Sequence, residues 1–538
     1  MPASHRDDAV RSALIVGSGP AAAGVALALE EVPDLEITVV DIGHQLEPPL
    51  RAAVDALRNL DPVAWDPADV GAIVAQPVSA GTRSLPQKRA YGSDFPFRDA
   101  GQASGITTID GANRDVVSGA YGGFSNVWGA QIMPFAAAVT RRWPIRSLDD
   151  HYRAILAAIP YAAEDDDLAG HFPLLAPPRP LPPLSPRTMS VLKRYRRHRS
   201  RLQRWGVTVG RARLAIDGRA CVRAGLCLTG CPYGLIYSAS HTFDRLRASG
   251  RILYRGGLLA VRLEEDEAAA SVLARDIASG SVERLRADRV FVACGGIGST
   301  RLVLGSLDAF ETTVEMAESQ QFVLPMISTR PTPDPRENRE LTLNQFNMTL
   351  TEDDDAHDLA QLHFYTYNPA FADALPGPLR WRALAATRIQ LLRRLSVAIG
   401  YLPSWRSPQL ALRATAPARP DQLPDITIGG GPMPDAGRRL LRRTLGLSLR
   451  AAPLLDLYPA LPLLSISAPA KSYHFGSSFP HQATRSTFQS SDPVGRVGNW
   501  NRIHVVDAAV LPSVAATTFT LTVMANAHRI ATEALALP

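Results

Sequence analysis

Two groups of residues in this chain have the types and spacing to do chemistry. The first is Gly17-Ser18-Gly19-Pro20-Ala21-Ala22, a G-x-G-x-x-A run. Gly17 permits a tight turn, and Gly19 lets the backbone approach a pyrophosphate. Ala22 allows a helix to pack closely on a strand with its N-terminus facing the phosphates. Asp41 follows 19 residues after Ala22, where an acid can accept hydrogen bonds from ribose hydroxyls. The run does not separate FAD from NAD. Taken alone it also fits a Gly-rich turn or, with Arg6 and Arg11 ahead of the apolar stretch Ala13 to Leu29, a secretory signal. The second group is Cys221, Cys227 and Cys231, spaced C-x5-C-x3-C and followed by Pro232. Thiols so spaced suit an iron–sulfur cluster or zinc, and Arg223 could stabilise their thiolates. Cys294, the remaining cysteine, reads as part of a buried strand and not as a fourth ligand.

These groups need elements to position them. Residues 13–17 read as a short buried strand, 20–31 as a helix and 36–41 as a second strand, a βαβ unit that implies a parallel sheet. This context favours the dinucleotide reading of the glycines. Residues 45–110 are mixed, with Pro- and Gly-rich breaks. Residues 172–186 form a Pro-rich extended connector. Residues 188–205 form a basic helix and 378–402 an Arg-rich amphipathic helix. Residues 251–293 read as strands and turns, ending in the apolar strand 290–294. Runs 341–350 and 361–367 suggest a separate antiparallel sheet, and the C-terminal 45 residues return to strand, turn and helix. No internal repeat has a solenoid period.

Composition bounds the answer. The chain has 538 residues, 46% apolar and 20% charged, enough for three to four domain-sized units and against extensive disorder. Four cysteines exclude a disulfide framework. The net charge is +6. Lysine occurs only at Lys88, Lys193 and Lys471, and the other 54 of the 57 basic residues are arginine. That skew, with abundant alanine, looks like the coding bias of a GC-rich genome, so the basic balance is no argument for nucleic acid. No breaker-free run of 18 or more apolar residues occurs, and there is no twin-Arg start. The expectation is a cytoplasmic protein with reduced thiols and no membrane span.

The C-terminal segment reads Asn501-Arg-Ile-His-Val-Val-Asp507-Ala-Ala-Val-Leu-Pro512, then Thr517-Thr-Phe-Thr-Leu-Thr-Val-Met-Ala525. It resembles the C-terminal signature of the glucose–methanol–choline (GMC) flavoprotein oxidoreductases. Ser472-Tyr-His474-Phe-Gly476 resembles that family's His-containing active-site strand, and Gly122-Gly-Phe-Ser-Asn-Val-Trp-Gly129 its second Gly-rich flavin loop. Trp143-Pro144 and Ala293-Cys-Gly-Gly-Ile-Gly-Ser-Thr-Arg301 fit too. The resemblance spans most of the chain outside about 310–460.

The resemblance implies an α/β fold. A Rossmann-like FAD-binding domain would be built from the discontinuous segments 1–135, 210–320 and 465–538. An α+β substrate domain on an antiparallel sheet would be built from 136–209 and 321–464. It assigns Gly17, Ser18, Gly19, Ala22 and Asp41 to the ADP half of FAD. Gly122, Gly123, Ser125, Asn126 and Trp128 would lie along the pyrophosphate and flavin, with Asp507, Ala508 and Thr520 beside the ribityl chain and ring. Some relatives attach FAD through a His just before the position of Trp128; here that residue is Val127, so the FAD is expected to be non-covalent. A Trp at 128 resembles the branch acting on sugars. A subgroup of GMC dehydrogenases carries a three-iron [3Fe-4S] cluster on a C-x5-C-x3-C run like that of Cys221, Cys227 and Cys231, and passes electrons onward.

The implied reaction oxidises a CH–OH group of a sugar-like or natural-product alcohol to a carbonyl. Hydride goes to flavin N5 and a proton to His474, an imidazole suited to neutral pH. The acceptor would be oxygen, quinone or an electron-transfer protein. Two departures from the family stand out. Gly476 follows His474 after one residue where relatives have two, and Thr518 occupies the place of a partner His or Asn. Thr can hydrogen-bond a substrate oxygen but is no base at neutral pH. His481 is a reserve base. The alternatives are that His474 merely packs, that the site does lyase or other non-standard chemistry, or that the Arg-rich helices make a basic anion-binding protein.

Overall fold

The computed structural model describes residues 10–74, 87–99, 105–334, 340–351, 356–366, 385–485 and 487–537. Its organising element is a parallel five-stranded sheet in the order Ile503–Val505, Arg289–Val292, Ser12–Val16, Glu36–Val40, Leu253–Arg255. The first strand is central, and the strand order reverses beside it. Such a switch point opens a crevice at the C-terminal strand ends. Gly17, Asp41, Cys294 and Asp507 all sit at that edge.

The helix that follows the first strand, Pro20–Leu29, is buried on all sides, so propensity matters less for it than packing. It crosses the C-terminal helix Thr520–Leu535 at Gly24, where an added Cβ would stand 2.4 Å from the Met524 carbonyl oxygen. Gly24→Ala should therefore lose stability despite alanine's better helix propensity, by about 1–3 kcal/mol for overpacking against a backbone. Chemical denaturation checks this.

A seven-stranded antiparallel sheet forms the second layer. Its order is Tyr458–Pro459, Gln321–Ile327, Leu395–Tyr401, Ala360–Tyr365, Phe346–Leu350, Val207–Arg211, and Ser465–Ile466 also pairs with Gln321–Ile327. Helices Pro186–Gln203 and Asp435–Leu455 cover one face of it. There Leu192, Tyr195, Leu441 and Leu455 pack on Phe322, Leu324 and Met326. The other face looks into a large cavity. A third sheet, with strands Phe475–Gly476, Thr313–Glu318, Gln409–Thr415, Asp425–Gly430 and Ile106–Thr108, links the two layers. A three-stranded meander, Leu258–Glu265, Ala270–Asp276 and Val282–Ala287, flanks the parallel sheet.

One expected element changes type. Of the helix expected over 378–402, residues 378–384 lie outside the described residues, Ala385–Leu392 is helical, and Leu395–Tyr401 is a strand. Leu-Ser-Val-Ala-Ile-Gly-Tyr alternates between two buried faces, which suits a strand with packing on both sides. The basic helix of 188–205 forms as Pro186–Gln203. Some of the arginines on the two covering helices already have partners. Arg199 pairs with Asp167 and Arg438 with Asp435, and Arg201 and Arg450 flank the Trp205 ring at 4.8 and 4.0 Å. Among the described residues no helix is long and apolar enough to cross a membrane.

Candidate functional site

A cavity of about 1850 Å³ runs from Gly17, Gly19 and Asp41 past Gly123 and Trp128 to Ala508, Thr520 and His474. At its first end the chain bends at Gly17, with φ +104° and its N–H donating to the Val40 carbonyl at 2.8 Å. A Cβ there would stand 2.6 Å from the Ala293 carbonyl oxygen. Gly19 caps the helix Pro20–Leu29, and a Cβ on it would meet nothing within 4 Å. Its open side is therefore cavity, next to a helix N-terminus whose free amides favour an anion.

Ser18 ties three parts of the site together. Its hydroxyl donates to the Asp41 carboxylate and accepts the Gly122 N–H at 2.9 Å. The first glycine loop, the second glycine loop and the acid are thus one unit. Tyr254 donates to Asp41 at 3.1 Å, and burial raises the Asp41 carboxyl to about 7. The second loop starts left-handed at Gly122 (φ +88°) and Gly123 (φ +58°). A Cβ on Gly123 would stand 3.1 Å from the Gly19 Cα. Ser125 and Asn126 shape this turn: Ser125 donates to the Gly122 carbonyl, and Asn126 to the Tyr121 and Gly123 carbonyls at 2.9 and 2.8 Å. Ala22, Gly122 and Asn126 stand one layer behind the cavity wall, whereas the other FAD residues expected from sequence line it.

Trp128 lines the cavity, but its indole N–H is engaged by the Tyr237 carbonyl at 2.8 Å. Its own carbonyl accepts from Lys88 at 2.6 Å, and burial lowers the Lys88 ammonium to about 8. Asp507 accepts from Ser299 and from the Ala509 N–H, and burial raises it to about 6.

At the far end His474 is held from several sides. The strand Phe475–Gly476 pairs with Ala317 and Glu318, and the Ser319 N–H donates to the His474 carbonyl at 2.9 Å. Glu318 is buried. It accepts from Ser472 at 2.7 Å and from the Ala470 N–H at 3.0 Å, and burial raises its carboxyl to about 7. Tyr473 is forced left-handed at φ +55°, a conformation costing about 1 kcal/mol for a residue with a Cβ. The imidazole stacks on Tyr401 (centroids 4.5 Å apart, 19° between planes) and touches Phe519 at 5.0 Å. Its Nδ1 is buried with no partner among the described residues, and so is the Thr518 hydroxyl oxygen. Buried polar atoms left unpaired are costly; His474 lines the cavity, whereas Thr518, expected from sequence to act beside it, is not among the lining residues. Burial lowers the His474 imidazole to about 4.

Sequence reasoning missed Tyr401, Gln321 and His363. Gln321 donates to the Tyr401 hydroxyl at 3.0 Å. His363 packs its ring 5.0 Å from that of Tyr401 and bonds Gln361 and Gln131. The two-residue alternation of 395–401 was the signal that could have found Tyr401.

His481 is not in the cavity. Its Nδ1 faces the Asp492 carbonyl and Ser491 hydroxyl, and its Nε2 faces Asn526 and Arg529, so it is a packing histidine. The cysteine reading also changes. All four cysteines are free thiols, and no group of three or more metal-ligating side chains is gathered among the described residues. Cys221, Cys227 and Cys231 border a gap of about 20 Å³, room for roughly one water rather than a cluster. Burial raises the Cys221 thiol to about 11 despite the nearby Arg223. Cys294 lies just past its strand and faces the main cavity.

No family model and no curated protein sequence matches the chain. Among solved structures it is similar to pyridoxine 4-oxidase from Mesorbium loti, with a TM-score of 0.59 and 14% identity over 97% of this chain and 98% of that one. It is also similar to formate oxidase, with a TM-score of 0.58 and 14% identity over 98% of each chain. A variant of the Aspergillus oryzae RIB40 formate oxidase, studied for its effect on FAD modification, gives 0.59 and 15% over 98% of each. With the parallel sheet, the two glycine loops and the second sheet closing the cavity, this chain shares the fold of these oxidases.

Proposed function

We propose that the chain is an FAD-dependent oxidoreductase that takes a CH–OH group to a carbonyl. One observation carries the reading: a single continuous cavity joins the phosphate-type cradle of Gly17, Gly19 and Asp41 to an imidazole with an unengaged ring nitrogen at His474. The fit to FAD is physical. Gly19 leaves open space at a helix N-terminus, and Asp41 lies where ribose hydroxyls can donate to it. Val127, at the place where some relatives carry a linking His, has no atom that could bond a flavin, which supports non-covalent binding. When bound, the flavin would supply the hydride acceptor.

The chain's own residues do the rest. Burial keeps His474 neutral at physiological pH, so a ring nitrogen is free to accept the hydroxyl proton. Tyr401 and Phe519 hold the ring plane. The Thr518 hydroxyl, unpaired and next to the cavity-lining Phe519, would have to turn toward the cavity to hydrogen-bond the substrate oxygen. As hydride leaves the carbon, the oxygen-bound proton becomes that of a protonated carbonyl, acidic enough for even a weakly basic imidazole.

The low His474 value sets a pH dependence. A base that must be neutral, and becomes protonated near pH 4 instead of 6.5, leaves kcat/KM flat from about pH 5.5 upward, half-maximal near pH 4 and falling about tenfold per pH unit below that. Rates of anaerobic flavin reduction across pH check this; an acid limb near 6.5 would mean an unperturbed base. The reading itself is tested by colour. The purified protein should be yellow, release FAD on denaturation, and bleach anaerobically with an alcohol. Colourless protein that takes up no added FAD would end it.

A further inference from the structure

Resting on that reading, we infer that the substrate is an elongated, mainly hydrocarbon alcohol, long-chain or terpenoid, with its hydroxyl at His474 and its body along the seven-stranded sheet. Strand alternation carries this. On Gln321–Ile327 the residues Phe322, Leu324 and Met326 face the covering helices, while Gln321, Val323, Pro325 and Ile327 face the cavity. On the neighbouring strand Tyr401, Ile399, Val397 and Leu395 do the same. The register matches them pairwise: Gln321 with Tyr401, Val323 with Ile399, Pro325 with Val397, Ile327 with Leu395.

The wall therefore begins polar and becomes hydrocarbon. Its polar end is Gln321 and Tyr401, beside His474, with Ser467 donating to Gln321 at 2.8 Å. The remaining three pairs carry no polar side-chain atom. Six residue steps at roughly 3.4 Å each make the wall about 20 Å long. Tyr365, paired with Val397, adds an aromatic face while its hydroxyl lies against Gly129. Among the described residues, Ser465, opposite Val323, adds a second hydroxyl beside these pairs. A sugar held there would bury several hydroxyls against hydrocarbon, each at a cost. At the cavity mouth Leu463 and Ile466 are 48% and 51% exposed, an apolar entry for an apolar molecule.

The test uses the FAD-loaded enzyme with straight-chain primary alcohols from 1-butanol to 1-dodecanol, and with glucose. Anaerobic flavin reduction should show kcat/KM rising about fourfold per added methylene. Titration calorimetry should show 1-dodecanol binding more tightly than 1-butanol. Ile327→Asp, at the end away from His474, should weaken binding and kcat/KM for 1-dodecanol at least roughly tenfold more than for 1-butanol. Flavin bleached by glucose but not by 1-dodecanol, or a flat dependence on chain length, overturns the inference and leaves the oxidoreductase reading intact. Tight, length-dependent binding without bleaching by any alcohol overturns the oxidoreductase reading and supports the apolar site.

Discussion

His474→Ala should slow anaerobic flavin reduction about a thousandfold, the middle of the range for loss of a positioned general base. Its FAD content should not change, because the glycine turn at Gly17 and Gly19 and the Ser18–Asp41 bond are left intact. The Glu318 grip on Ser472 and Ala470, and the pairing of Phe475–Gly476 with Ala317 and Glu318, use backbone and neighbouring side chains that the variant retains. Losing the ring from its stack on Tyr401 should cost some stability, so the melting temperature must be read beside the rate. Stopped-flow bleaching with the best alcohol, at matched flavin occupancy, makes the comparison. Full activity in the variant would remove His474 from the chemistry and leave it a packing residue.

Gly19→Val should abolish cofactor retention while the chain still folds. The backbone at Gly19 is extended (φ −73°, ψ −175°), so a β-branched residue adopts it without strain, and a Cβ there meets nothing within 4 Å. The new methyls would instead fill the space beside the helix N-terminus that a pyrophosphate needs, and FAD affinity should fall by at least roughly a hundredfold, about 2.7 kcal/mol. Flavin absorbance per mole of protein reads the loss; circular dichroism should match the parent chain. Gly17→Val gives the contrast. Its φ of +104° and the Ala293 carbonyl 2.6 Å from a Cβ make it a folding defect as well. A yellow Gly19→Val protein with parental flavin content would displace the cofactor from this end of the cavity.

The βαβ unit and its glycines were legible because everything they need is local. Two strand patterns, a turn glycine and an acid 19 residues on lie within one short stretch. The C-terminal run was legible for the same reason, since Asp507 and the helix Thr520–Leu535 follow one another directly. The strand 395–401 was not. Its alternation is of large with small residues and not of apolar with polar ones, because the covering helices bury one face and the cavity wall forms the other. Cysteine spacing showed that three thiols are close in sequence, but the folding of the Cys221–Cys231 loop set how much room lies between them.

What the sequence by itself determined is the glycine turn after the first strand, the position of its acid and the histidine two residues before Gly476, because each depends on local strand, turn and helix patterns. What only the tertiary structure decided is what surrounds that histidine. Tyr401 and Phe519 reach it from separate segments of the chain, and Gln321 from a third holds Tyr401. Which residues of 321–327 and 395–401 face the cavity is set by cross-strand register, a property of two strands together that neither segment carries alone.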